Sequence, residues 1–209
     1  MMKAYQHFKT ITYHKWLVMK GCFSIGLYIQ GICHDLSKYS PTEFLVGARF
    51  FQGDRSPNNA EREEKGYSAS WLHHKGRNKH HYEYWIDYSV KDIKGGMVPA
   101  PMPVKYILEM MMDRIAASKV YAKEAYTQHS PLDYYNSGKE FAPLHEKTKS
   151  TLELLLLILD SYGEKELVRF IKKKVIPYET LWDDKDKWPI LIKKFQKKYQ
   201  VTMEKKKIS

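Results

Sequence analysis

Residues that can ligate a metal ion recur through the first two thirds of this sequence. Six of the nine histidines fall in segments that a helical reading brings toward one centre, together with two aspartates. Neutral imidazole and carboxylate are ligands that Mn, Fe, Co, Ni and Zn accept, so one or two divalent transition-metal ions are the expected cofactors. The set comprises His14, His34, Asp35, His73, His74, His80, His81 and Asp113.

Asp113 is the member that is hardest to explain without a cation. It interrupts a helix that is apolar nearly all round, between Met112 and Ile115. A buried carboxylate has a large desolvation penalty unless a metal, Arg or Lys compensates its charge. We favour a metal over Arg114, because neighbouring residues in a helix point in different directions.

The histidine pairs flank a short turn at residues 75–77. His74 ends one predicted helix, and His80 and His81 begin the next, so the turn can bring all three to one ion. His73 is expected beside the site or at the surface. Lone histidines such as His14 are also common as hydrogen-bonded core residues, and that alternative stays open.

The roles of four other side chains can each be interpreted in two ways. Glu43 is either a ligand to a second metal or the glutamate of a capping box that begins at Ser40. Lys38 is either a contact to a substrate phosphate or a cation that favours the end of the preceding helix. Arg77 and Lys79 are either phosphate contacts at the mouth of the site or a solvated turn.

Apolar residues at three- and four-residue spacing predict the elements that position these groups. Seven of them give the first helix an inward stripe, and a break is expected near Gly21. Asn78 is predicted to be the N-cap of a helix. Gly95-Gly96 and Pro99–Pro103 predict a stiff connector. A loop is predicted over 126–137. The stripe consists of Phe8, Ile11, Val18, Cys22, Ile25, Ile29 and Ile32. Helices are predicted over 5–33, from Ser40, over 60–74, 79–92, 103–125, 141–161, 163–175 and 188–199.

The pattern shows no strand-like alternation, so the predicted fold is an all-α, single-domain helical bundle. Within it we expect a metal-binding core over 1–126 and a helical extension over 127–209 with a basic tail. The net charge of +11 suits a phosphate-rich partner. No membrane partner is expected, and the two cysteines and the lack of a signal sequence favour the cytoplasm. The oligomeric state is left open.

The order His14, His34-Asp35, Asp113 resembles the HD-domain superfamily of all-helical, metal-dependent phosphohydrolases. In that superfamily a His, a His-Asp pair and a distant Asp ligate one metal, and further histidines between them hold a second ion in the dinuclear branches. The resemblance covers about residues 5–126. It implies that Asp35 bridges two ions and that Lys38 follows the pair as in a cyclic-dinucleotide phosphodiesterase branch, although Ser37 replaces that branch's glycine. The run Trp71–Trp85 also resembles a small bacterial and phage family with no activity to carry over.

These readings predict a phosphohydrolase that acts on a nucleotide or a similar small phosphorylated substrate through metal-activated water, with Asp35 and Lys38 in catalysis. A di-iron oxygenase or other redox enzyme of the HD fold is one alternative. A non-catalytic module that binds nucleic acid is another, and a degenerate phage or plasmid protein is the third.

Overall fold

Helices make up most of the chain in a computed structural model that describes residues 2–91, 96–201 and 203. The helical content confirms the all-α class, with a single two-stranded sheet in the described residues. The α-helices and strands are α1 Met2–Ser24, α2 Tyr28–Cys33, α3 Pro41–Phe50, α4 Pro57–Lys65, α5 Ala69–Lys75, β1 Ile86–Tyr88, β2 Met97–Pro99, α6 Val104–Ala122, α7 Ser130–Gly138, α8 Glu146–Phe170 and α9 Lys187–Tyr199. Shorter helical segments are the 3₁₀ turns Leu36–Tyr39, Tyr82–Trp85, Lys123–Ala125 and Ile176–Leu181, and the π turn Ile171–Val175.

The predicted helix over 79–92 is wrong. Among the described residues of this range only Tyr82–Trp85 is helical, as a 3₁₀ turn. β1 follows it and pairs antiparallel with β2, with Asp87 opposite Val98. Backbone pairing across the sheet overrides the local helical pattern, which is weak over so short a segment. The predicted Gly95 of the connector lies outside the described residues.

Glycines and a proline set several boundaries differently from the prediction. The first helix breaks at Gly26, where φ is +87°, and not at Gly21. Gly66, at φ +79°, separates α4 from α5 within the single helix that was expected. Pro131 stands in the first turn of α7, which occupies most of the predicted loop over 126–137. The start of α3 after Ser40 and the long helix α6 are confirmed.

The chain divides into two compact units. Unit 1 consists of Met1–Tyr84 and Met112–Tyr126, and unit 2 of Trp85–Met111 and Thr127–Ser209. All of the metal ligands predicted from the sequence lie in unit 1. Unit 2 has its own apolar core, in which the run Leu154–Leu159 of α8 is buried with Phe170, Trp188 and Phe195. Lys205-Lys206-Lys207 of the predicted basic tail lie outside the described residues.

In unit 1, α1 buries one side of its surface and α3 packs beside it. The buried residues of α1 are His7, Ile11, His14, Val18 and Cys22. A Cβ at Gly47 of α3 would lie 2.3 Å from Nε2 of His7, so this glycine permits the close approach of the two helices. The His7 ring is itself held between Phe44 and Phe51.

We predict that Gly47→Ala lowers the free energy of unfolding by about 1–3 kcal/mol, because the buried His7 ring cannot move away from the added methyl group. Gly138→Ala is the matched control, since a Cβ there meets nothing within 4 Å. The control should leave the free energy unchanged or raise it by less than about 1 kcal/mol. Urea denaturation measures both, and equal stability of the two variants would contradict the packing argument.

A buried glutamate joins α4 to the start of α5. The Glu61 carboxylate is fully buried and accepts hydrogen bonds from the hydroxyls of Ser68, at 2.7 Å, and Ser70, at 2.8 Å. Lys65 donates to its other oxygen at 3.1 Å. Although burial raises the pKa of Glu61, these donors lower it to about 2. Ser68 is also the N-cap of α5, the helix that carries His73 and His74.

The depressed pKa means that ionised Glu61 stabilises the fold above its ordinary value of 4.5, and that this contribution is lost as the pH falls toward 2. We therefore expect Glu61→Gln to lower the free energy of unfolding by about 1–3 kcal/mol at neutral pH, with a smaller difference from wild type near pH 3. Glu64→Gln, which removes an exposed pair with Arg49, should change it by less than about 1 kcal/mol. A Glu61→Gln effect that is independent of pH would show that its charge is not the source.

Candidate metal centre

The His34-Asp35 pair lies at a sharp corner between α2 and the 3₁₀ turn Leu36–Tyr39. Asp35 has φ +54°, a left-handed conformation that is uncommon for a residue with a Cβ and that aspartate tolerates better than most. Lys15 of α1 donates to the backbone carbonyls of Ile32, at 2.5 Å, and His34, at 2.8 Å. These two bonds hold the end of α2 against α1, one residue along from His14.

The first ligand group combines the corner with α1 and α6. His14 Nε2 lies 2.9 Å from Asp113 Oδ1 and 3.7 Å from Asp35 Oδ2. His34 Nε2 lies 3.3 Å from the same Asp35 oxygen and 3.7 Å from Asp113 Oδ1. The four residues that the sequence order singled out are therefore brought together, through the buried face of α1 and the part of α6 that belongs to unit 1.

The second ligand group lies around the other oxygen of Asp35. His74 Nε2 is 3.2 Å and His80 Nε2 is 3.4 Å from Asp35 Oδ1. His81 Nε2 is 2.9 Å from His74 Nε2. The turn after α5 makes this possible, because Asn78 donates its side-chain amide to the His74 carbonyl at 2.8 Å. Asn78 thus closes the turn and does not begin the helix predicted for it.

Each group places its donor atoms within 4.8 Å of one another. Donors that share an ion lie about 2.0–2.2 Å from it, so this spacing approaches that of a formed site. Asp35 belongs to both groups, with one carboxylate oxygen in each. The donor set of five imidazoles and two carboxylates fits first-row transition metals, and an ion in each group would take one oxygen of Asp35.

The electrostatics favour the ligating state of both aspartates and of His14, whereas at His74 the carboxylates of Asp35 and Glu43 outweigh burial and raise the pKa. Burial raises the pKa of Asp35, but His34 and Lys38 outweigh it and hold that pKa well below its ordinary value. The pKa of Asp113 is also held well below its ordinary value, because hydrogen bonds from His14 and His34 outweigh burial. Burial and the charge of Lys38 lower the pKa of His14. Ionised carboxylates beside neutral imidazoles are the forms that coordinate metals.

Lys38 adds a positive charge beside the Asp35 carboxylate. Its Nζ lies 2.5 Å from Oδ2 of Asp35, which precedes Lys38 by three residues. Burial lowers the Lys38 pKa, but the carboxylates of Asp35 and Asp113 raise it above its ordinary value. Lys38 is therefore a cation that compensates the charge of Asp113. The sequence had placed this lysine beside the His-Asp pair only.

Glu43 contacts a histidine of the second ligand group at the ring nitrogen that does not face Asp35. Its two carboxylate oxygens lie 2.7 Å from Nδ1 of His73 and 2.7 Å from Nδ1 of His74. When the His74 Nδ1–H donates to this carboxylate, Nε2 is the nitrogen that faces Asp35. Glu43 lies in neither ligand group, and the N-cap Ser40 makes no side-chain cap bond. The sequence singled out Glu43 as a capping residue or a ligand to a second metal, but it did not predict the contact with His74, which orients a candidate ligand.

The two cations of the turn are exposed. Arg77 donates to the His73 carbonyl at 3.4 Å, and the Lys79 ammonium lies 5.6 Å from the centre of the Tyr84 ring. Trp71 packs edge-on against His81 with ring centres 4.7 Å apart, a contact that the sequence did not predict. An aromatic residue one helical turn before His74 is the only sequence signal that pointed to this contact.

Comparison with known proteins places the chain in a family. Residues 3–157 match DUF5662, which is described as a family of unknown function. The chain belongs to this family. The matched range includes both ligand groups, Lys38 and Glu43. No curated protein and no solved structure matches the chain.

For this DUF5662 member we predict two ions per chain and a separable loss of each. His14→Ala should remove the first ion alone, and His81→Ala the second alone, whereas Asp35→Ala should remove both because it supplies an oxygen to each group. Elemental analysis of the purified protein and titration calorimetry measure the stoichiometry.

His129→Ala is the control, since His129 also lies between two aspartates, Asp133 and Asp160, but belongs to unit 2. It should keep both ions. Retention of one ion by Asp35→Ala would show that the carboxylate is not shared.

Proposed function

We propose that this protein is a metal-dependent phosphohydrolase that acts on a nucleotide or a related small phosphoester. The observation that carries the proposal is the placement of the two Asp35 oxygens in two separate groups of ligands. A pair of ions on either side of one carboxylate is an arrangement typical of phosphoester hydrolysis. The resemblance to the HD-domain superfamily in the order of these residues supports the same reading.

The protein's own residues have distinct roles in this proposal. His14, His34 and Asp113 would hold the first ion, while His74, His80 and His81 would hold the second. When bound, the ions activate water as a nucleophile at neutral pH and withdraw charge from the phosphoryl oxygens. Asp35 fixes the separation of the two positions, and Glu43 fixes the orientation of His74.

Lys38 is the residue that we assign to the phosphoryl group. Its side chain is partly exposed, at 29%, although its ammonium contacts the buried Asp35. It can therefore reach an anionic substrate while it stays in the site, and it stabilises the charge that develops on the phosphoryl oxygens. In the overall reaction a water oxygen bonds to phosphorus, the ester P–O bond breaks, and the leaving oxygen takes a proton. Arg77 and Lys79 are proposed as weaker contacts to the substrate.

The test is a metal analysis followed by a panel of phosphomonoesters, phosphodiesters and nucleotides, each assayed with and without chelator. We expect turnover that chelator and Asp35→Ala both abolish. Lys38→Ala should keep the metal and lose about 2–4 kcal/mol of transition-state stabilisation, roughly 30- to 1,000-fold in turnover. A Lys38 variant that loses metal as fully as Asp35→Ala would contradict its assigned role.

The abundance of imidazole in the donor set supports a second candidate, a di-iron redox enzyme. Iron in the purified protein, visible absorbance and oxygen consumption without phosphoester turnover would favour it. Strongly salt-dependent binding of nucleic acid without turnover would favour a binding module instead. We assign the activity to the cytoplasm, because both Cys22 and Cys33 are free thiols.

A further inference from the structure

The outward surface of α1 and α2 carries a continuous set of exposed large side chains. Three of the seven residues predicted to face inward are instead exposed: Phe8, Ile29 and Ile32. No described helix is both long and apolar enough to cross a bilayer, so this surface is not part of a span. We call the following residues the α1–α2 face: Tyr5, Lys9, Tyr13, Trp16, Lys20, Phe23, Tyr28, Ile29 and Ile32, all of them exposed.

Helical spacing aligns the α1 members of the face. They recur at intervals of three or four residues from Tyr5 to Phe23, which places them in one stripe about 27 Å long. The stripe lies opposite the buried side of the helix, which carries His14. The α2 members continue it, because the Phe23 and Tyr28 rings meet at 5.2 Å.

The lysines of the face lie among its aromatic rings. The Lys9 ammonium is 5.6 Å from the centre of the Tyr5 ring, and that of Lys20 is 4.3 Å from the Trp16 ring. Residues 2–34 contain four lysines and no aspartate or glutamate. The face therefore combines a large apolar area with the positive charges of Lys9 and Lys20, and α1 and α2 contribute no acidic residue to it, which makes it complementary to an anionic partner.

We infer that the α1–α2 face binds the surface of a membrane that contains anionic phospholipids. Tryptophan and tyrosine rings favour the headgroup region, lysines favour anionic lipid, and aliphatic side chains enter the acyl boundary. Ile29, at 74% exposed, and Ile32, at 54%, supply the aliphatic part. This attachment is independent of the proposed activity, and it departs from the sequence-based expectation of no membrane partner.

Two other partners fit the face less well. Single-stranded nucleic acid stacks its bases on free ring faces and favours arginine, but lysines cover the Tyr5 and Trp16 rings and the first arginine of the chain is Arg49. Exposed isoleucines add nothing to such stacking. A second copy of the chain would set one acid-free, lysine-bearing face against another, with like charges opposed.

The experiment is co-sedimentation of the full chain with phosphatidylcholine vesicles, with and without phosphatidylserine. We expect binding that phosphatidylserine strengthens and that salt weakens. Lys9→Gln/Lys20→Gln should weaken binding about fivefold per lysine, and Ile29→Ser on the order of tenfold.

The chain offers matched controls. Lys172→Gln/Lys173→Gln makes the same change in net charge at exposed positions of unit 2, and Ile190→Ser removes an isoleucine that is 64% exposed. Both controls should bind vesicles as wild type does. Circular dichroism checks that every variant keeps its helical content.

Three results would overturn the inference: no binding to either vesicle, equal weakening by the controls, or self-association that Ile29→Ser abolishes without an effect on vesicle binding. If the protein does not bind vesicles but binds single-stranded DNA, and Lys9→Gln/Lys20→Gln weakens that binding, the face is assigned to nucleic acid. Co-sedimentation measures attachment and not turnover, so a failure to bind vesicles does not bear on the proposed hydrolase, and an absence of turnover does not bear on vesicle binding.

Discussion

Burying the Asp35 carboxylate requires positive or polarised groups at both of its oxygens, and much of unit 1 is arranged around that requirement. Lys38 and His34 lie at one oxygen, while His74 and His80 lie at the other. A buried ionised carboxylate without such partners would have a desolvation penalty of several kcal/mol. The helices that supply these side chains are consequently fixed relative to one corner of the backbone.

That corner depends on contacts from residues outside both candidate ligand groups. Lys15 ties the end of α2 to α1 through two carbonyls, and Asn78 closes the turn that returns the chain to the site. Glu43 joins α3 to α5 through both of the α5 histidines. Outer contacts of this kind fix the orientation of metal ligands and raise their basicity, so their loss lowers metal affinity.

The first helix has two opposed functions in these proposals. Its buried side delivers His14 to the candidate metal centre and packs against α3 at Gly47. Its outward side presents Trp16 and its neighbours to the surroundings. A helix that is apolar on both sides reads from sequence as a buried one, because hydrophobic spacing does not reveal which side a neighbouring element covers.

The sequence by itself determined the helical class, the start of α3 and the four residues of the first ligand group. Those predictions depend on local spacing and on ligand chemistry, both of which are properties of residue type and order. It also indicated His74, His80 and His81 through the short turn between them.

Tertiary structure alone decided the rest. It assigned one oxygen to each group at Asp35, the residue that the resemblance implied as a bridge. It also placed Glu43 against His73 and His74, and it paired β1 with β2 where a helix was expected. Each of these depends on contacts between residues that are distant in sequence, such as the 31 positions between Glu43 and His74. Local propensity is worth less than about 1 kcal/mol per residue, so a few buried polar contacts of that kind outweigh it.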